Sequence, residues 1–197
     1  MQSPALATLT LTGALATVSI LTPCYAAKPS FDCAKARGEI ETLICQDDDL
    51  AALDRTLADV YKKALDQAPP DDLKTLKAFQ RGWVKGRNDC WKAEADMHYC
   101  VQHNYEARIT ELQIMYADAV SDTVTFTCAG GAIITAVFYQ DTQLPAAVLT
   151  RIPDQVIALL TPSGSGSKYE GGNVTFWLKG DQAQVSWNGE EWQCQQQ

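Results

Sequence analysis

Apolar residues recur every three or four positions through the first half of the chain and every second position through the rest, so two kinds of element are encoded in succession. Leu50, Leu53, Leu57, Val60 or Tyr61, and Ala64 or Leu65 form one helical stripe, and Asp47, Asp48 and Asp49 ahead of it supply an N-cap and first-turn acids. Ala68-Pro69-Pro70-Asp71-Asp72 ends that helix and starts another, with apolar positions Leu73, Leu76, Phe79, Trp83 and Val84. A third helix is expected from about Ala95, carrying Tyr99, Tyr105, Ile109 and Leu112. The spacing predicts a small helical bundle or hairpin over residues 42–116.

Beyond Tyr116 the period changes to two. Seven short runs, at residues 124–128, 132–139, 146–152, 155–161, 174–178, 184–187 and 191–195, read as strands. Gly130-Gly131, Pro153-Asp154, Lys179-Gly180-Asp181 and Asn188-Gly189 separate them with hairpin chemistry. An antiparallel sheet rolled into a small β-barrel is the natural result, with Cys128 and Cys194 on its first and last strands. The chain is thus expected to be an α+β protein of two domains. A disulfide-stapled helical domain (27–117) and the barrel (122–197) would be joined by a polar connector near Ala117 to Ser121.

Composition adds the compartment. Met1 to Ala26 contains no charged residue, and Leu9 to Leu21 is an apolar run too short to span a membrane, so residues 1–26 read as a secretory signal cut after Ala26 or Ala27. Leu21-Thr22-Pro23-Cys24 has the outline of a bacterial lipobox, although proline precedes the cysteine where that motif wants a small residue. Of seven cysteines, six remain once Cys24 is set aside, an even number that implies disulfides in an oxidising compartment. Cys33, Cys45, Cys90 and Cys100 allow three pairings. Pairing Cys33 with Cys45 and Cys90 with Cys100 is preferred, since each bond then staples a local corner.

Net charge is −8, and residues 118–197 hold only Arg151, Lys168 and Lys179 against eight acids. Such a surface disfavours nucleic acid and anionic membranes and attracts a basic protein. No GxSxG, HExxH or P-loop pattern is present. His98 and His103 lie near Cys90 and Cys100, but disulfide bonding explains those cysteines better than a metal does, so no metal or other cofactor is expected.

The residues that carry chemistry lie between Ser163 and Ala183. Phe126-Thr127-Cys128, then Ser163-Gly164-Ser165-Gly166-Ser167-Lys168-Tyr169, then Phe176-Trp177-Leu178-Lys179-Gly180-Asp181-Gln182-Ala183, and finally Cys194 stand in the order found in the membrane-bound lysozyme inhibitor of c-type lysozyme (MliC) family, which this half resembles. Ser167 departs from that family's alanine. The first half resembles the helical domain of LprI-type lysozyme inhibitors through Phe31-Asp32-Cys33, Ile44-Cys45, Leu53-Asp54, Gln80-Arg81-Gly82-Trp83, Arg87, Cys90, Cys100, Tyr105 and Arg108-Ile109.

The resemblance implies an exported, non-catalytic protein, periplasmic or secreted, whose partner is c-type lysozyme. That enzyme works with two carboxyl groups in a cleft. Ser165 and Lys179 are the residues implied to reach them. Gly164 and Gly166 give the loop the backbone freedom for a protruding shape, Lys168 is either a partner contact or a solvated side chain, and Tyr169 is either a rim contact or barrel packing. Phe176 and Trp177 read as barrel packing. The competing reading is a cell-envelope adaptor without inhibitory activity, and outside the motif Lys179 and Ser165 would read as ordinary turn residues.

Overall fold

Asp47 shows how the helical half is punctuated. Its carboxylate accepts from the backbone N–H of Asp49 at 3.0 Å and of Leu50 at 2.9 Å, closing the start of a long helix. The computed structural model describes residues 28–116 and 122–197. The expected signal segment, Cys24 and the connector near Ala117 to Ser121 lie outside the described residues. Among the described residues four α-helices succeed one another: α1 (Gly38–Gln46), α2 (Asp48–Gln67), α3 (Leu73–Asn88) and α4 (Met97–Met115), with 3-10 turns at Cys33–Lys35 and Asp89–Asp96. The apolar periodicity alone does not separate α1 from α2. Cys33–Cys45 ties the lead-in to α1, and Cys90–Cys100 spans the corner before α4.

Ile44, Leu50, Val101, Tyr105 and Ile109 are fully buried at the centre of this bundle. Two expected core residues are not there: Phe79 is 63% and Tyr99 59% exposed. The inner line of α3 instead runs through Leu76, Gln80, Trp83 and Arg87, partly polar, which an apolar count misses. Asp54, Arg87 and Tyr105 find partners in one another and in the backbone. Tyr105 Oη donates to Asp54 Oδ1 at 2.8 Å and accepts from Arg87 Nη1 at 2.5 Å, while Asp54 Oδ2 accepts from Ser30 N–H at 2.6 Å. Burial, the main cause, pushes the Tyr105 hydroxyl far above its ordinary pKa, so it stays protonated as the link between acid and guanidinium.

The second half is a closed antiparallel barrel in which each strand pairs with its sequence neighbours and β8 returns to β1. Its strands are β1 (Thr123–Cys128), β2 (Ile133–Tyr139), β3 (Ala146–Arg151), β4 (Asp154–Thr161), β5 (Ser167–Gly171), β6 (Val174–Lys179), β7 (Gln182–Trp187) and β8 (Glu190–Gln196). Eight strands enclose an interior that side chains alone can fill. Phe126 and Phe176 meet there edge to face, with ring centroids 5.1 Å apart, among small residues such as Ala136, Ala147 and Ala158. Cys128–Cys194 ties β1 to β8 where the barrel closes.

The alternation in the sequence predicts seven strands, one fewer than the barrel has. The missing one is β5, whose Ser167-Lys168-Tyr169-Glu170-Gly171 reads as the tail of a glycine-rich loop but pairs with both β4 and β6. The Asn188-Gly189 turn has positive φ at both residues, 52° and 88°, as a type I′ hairpin requires. Because the strands alternate in direction, the β2–β3 connector (140–145), the β4–β5 loop (162–166) and the β6–β7 turn at Gly180-Asp181 all emerge at one end of the barrel. That end is where the expected functional residues lie.

Candidate functional site

The β4–β5 loop and the end of β6 are built against each other. Gly166 has φ 67°, and a Cβ placed on it would stand 2.2 Å from the Leu178 carbonyl oxygen and 3.0 Å from Lys179 Cγ, so no other residue fits there without moving the loop. Gly164 is different. Its φ is not in the left-handed region, and a Cβ on it would meet nothing within 4 Å. Of the two glycines expected to shape the loop, the fold itself requires Gly166 only.

The two loop serines also differ. Ser163 Oγ donates inward, to the carbonyl of Gly166 at 2.9 Å and more weakly to that of Ser165 at 3.2 Å. The Ser165 backbone carbonyl further accepts from Trp177 Nε1–H at 2.8 Å. The Ser165 side chain is exposed, and its hydroxyl has no hydrogen-bond partner among the described residues. It is free to donate or accept outward.

The barrel's three cations divide the same way. Arg151 pairs with Glu190 at 3.1 Å and stacks over Trp192 at 4.8 Å. Lys168 pairs with Glu170 at 2.5 Å, an interaction that is the largest cause holding the Glu170 carboxyl below its ordinary value. Lys179 has no carboxylate partner among the described residues. Its ammonium lies 3.6 Å above the centre of the Trp177 ring, exposed at the last position of β6. A two-residue turn with positive φ at Gly180 then carries the chain into β7.

Tyr169 corrects one expectation. It is only 4% exposed and packs inside the barrel against Phe138, ring centroids 5.5 Å apart, because strand alternation turns it inward between outward-facing Lys168 and Glu170. Its ring is core and offers no rim to a partner. The structure therefore brings together Ser165, Gly164, Gly166 and Lys179 at one barrel end, leaves Lys168 half-buried and neutralised at its flank, and removes Tyr169.

Comparison with known proteins respects this division. Residues 126–193 match the family described as membrane-bound lysozyme-inhibitor of c-type lysozyme, and residues 33–112 match the family described as lysozyme inhibitor LprI. Lipoprotein LprI of Mycobacterium bovis and that of Mycobacterium tuberculosis are each 30% identical over 194 residues, covering 92% of this chain and 96% of the relative. The chain belongs to the LprI family. Among solved structures, Pseudomonas aeruginosa MliC in complex with hen egg white lysozyme matches with 23% identity and a TM-score of 0.36, covering 39% of this chain and 81% of that one.

In this LprI-family chain the residue that sequence reasoning missed is Trp177. It is expected in the barrel core next to Phe176, yet only Phe176 is fully buried. Trp177 lies on the outer face, where its N–H and its ring touch the two candidate contact segments. The signal was available. With period two along β6, burying Phe176 forces Trp177 and Lys179 to share the opposite face.

Proposed function

We propose that this LprI-family protein is exported and inhibits c-type lysozyme by occupying its catalytic cleft with the Ser165 loop and the Lys179 turn. The observation that carries this reading is the exposed Ser165 hydroxyl and the Lys179 ammonium standing on the same barrel end. Ser165 Oγ and Lys179 Nζ lack a hydrogen-bonding or ionic partner within the described chain, whereas Ser163, Lys168 and Arg151 are all engaged. A cleft working with one protonated and one ionised carboxyl presents the complementary pair. The hydroxyl can serve either protonation state, and the ammonium suits the ionised one.

Inhibition of this kind needs binding alone. The eight acids of residues 118–197 against three cations give the barrel a negative field that speeds encounter with a basic enzyme. The mycobacterial relatives are named as lipoproteins, which supports export. Export places the three disulfides in a compartment where they persist.

A lysis-turbidity assay with hen-type lysozyme tests the reading. Wild-type protein should block lysis. A hydrogen bond to a charged group contributes on the order of 1.5 to 3 kcal/mol, so Ser165→Ala with Lys179→Ala should weaken inhibition about hundredfold or more. Undiminished lysis in the presence of folded wild-type protein, or full inhibition by the double variant, sinks the proposal.

A further inference from the structure

The Trp177 side chain touches both candidate contact segments. Its indole N–H donates to the Ser165 carbonyl at 2.8 Å, and its ring face lies 3.6 Å beneath the Lys179 ammonium. We infer that Trp177 is a positioning residue: it holds the Ser165 loop and the Lys179 side chain as one preformed unit before any partner arrives. Its use in inhibition rests on the function proposed above.

Three features make the arrangement more than a chance contact. First, the pairing is dictated by the strand, because positions 177 and 179 of β6 share one face while Phe176 fills the core. Second, the neighbouring cation does not compete for the ring. Lys168 stands directly across from Trp177 on β5, but its ammonium is held by Glu170 at 2.5 Å. Third, Gly166 brings the loop so close that a Cβ there would lie 3.0 Å from Lys179 Cγ, confining the lysine stem between loop and indole.

A lysine on an exposed turn otherwise samples many rotamers. Placing the ammonium within reach of an indole face stabilises one of them, tryptophan being the strongest of the aromatic partners. The rotamer freedom is then given up during folding, which lowers the cost of ordering the side chain on binding. The same indole fixes the loop backbone through the Ser165 carbonyl. A partner therefore meets hydroxyl and ammonium at a set separation.

The separation of roles predicts how variants behave. Trp177→Leu removes ring and N–H and should weaken lysozyme binding roughly tenfold by restoring the ordering cost. Trp177→Phe keeps a ring for the lysine and loses the bond to Ser165, so its effect should be smaller. Adding Lys179→Met to Trp177→Leu should cost less than Lys179→Met costs in the wild-type background, because the two residues act together.

The decisive measurement is proton NMR of the full chain without lysozyme. Stacking over the indole should shift the Lys179 side-chain methylene resonances upfield and protect the Trp177 indole N–H from exchange. Trp177→Phe should retain a shifted Lys179 signal. Unshifted Lys179 methylenes, or an indole N–H that exchanges as freely as in an unfolded chain, overturns the positioning role even where Trp177→Leu fails to fold. Equal costs for Lys179→Met in both backgrounds, read by titration against hen-type lysozyme, also overturn it. If folded wild type fails to bind lysozyme, the function proposed for the site falls, while the NMR result decides the Trp177 contacts independently.

Discussion

Alanine at position 166 should unseat the loop, whereas alanine at position 164 should leave it in place. The backbone at Gly166 has φ 67°, a left-handed conformation that costs an L-residue about 1 to 2 kcal/mol. The added Cβ would also overlap the Leu178 carbonyl oxygen at 2.2 Å, and both atoms are fixed by the main chain, so no rotamer change relieves it. Lifting the loop breaks the bonds from Ser163 Oγ to the Gly166 carbonyl and from Trp177 Nε1 to the Ser165 carbonyl, each contributing about 1 kcal/mol. The sum is roughly 3 to 4 kcal/mol, equivalent to a melting-temperature drop of at least about 12 °C in a domain of this size. Thermal unfolding of the full chain, followed by near-ultraviolet circular dichroism of the barrel aromatics, reads it directly. Gly164→Ala is the control, with unchanged melting, since its Cβ meets nothing within 4 Å. The same control probes the interface, because a methyl that the fold tolerates should still weaken lysozyme binding if the loop tip enters a narrow cleft. A Gly166→Ala protein that melts with wild type would refute the packing of the loop on β6.

The helical half yields two further expected outcomes. Tyr105→Phe removes the hydroxyl that links Asp54 and Arg87 and leaves a buried carboxylate and guanidinium 4.0 Å apart without it, so urea unfolding should show a loss of about 1 to 3 kcal/mol. The Asp47 carboxyl is held below its ordinary value of 3.8, chiefly by the Leu50 N–H and then, against partial burial, by His98. A lowered folded-state pKa stabilises the fold above 3.8 and loses that contribution as pH falls through and below it. Asp47→Asn should therefore flatten the fall in stability between about pH 5 and about pH 3, and an unchanged slope would show that the α2 cap does not couple to pH.

Much of this architecture was legible in the chain, and the parts that were not have identifiable physical causes. The period-two runs, the Asn188-Gly189 turn and the corner-stapling cysteine pairs, Cys33 with Cys45 and Cys90 with Cys100, have local signatures, while Cys128 and Cys194 meet because they lie on the first and last strands of a closed barrel. β5 did not, because a strand opening on Ser167 after a glycine-rich stretch has too few apolar residues to show alternation. The error over Tyr169 is the same one. Once β5 is recognised, the pairing of Tyr169 with Phe176 across the β5–β6 ladder places both rings inward and leaves Lys168 and Trp177 outward. Phe79 failed for the opposite reason, since the inner face of α3 includes Gln80 and Arg87, bound by Arg108 and Tyr105, and a count of apolar positions cannot see a buried polar line.

No periodicity could have shown the joint between the halves. Thr110 on α4 is fully buried, and its hydroxyl accepts from Leu144 N–H at 2.9 Å while donating to the Glu106 carbonyl at 2.9 Å. One turn along, Gln113 Oε1 accepts from Gln143 N–H at 2.7 Å. Both partners belong to the β2–β3 connector, and the next residue, Pro145, accepts from Leu160 N–H at 2.8 Å, just ahead of the Ser163–Gly166 loop. The helical half is thus attached at the barrel end that carries Ser165 and Lys179. Two side-chain-to-backbone bonds contribute about 1 to 3 kcal/mol together, a modest polar tie between α4 and the barrel. A polar joint of that strength explains why α4 lacks a clean apolar stripe: its buried residues include Thr110 and Arg108 because one side faces the bundle and another faces the barrel.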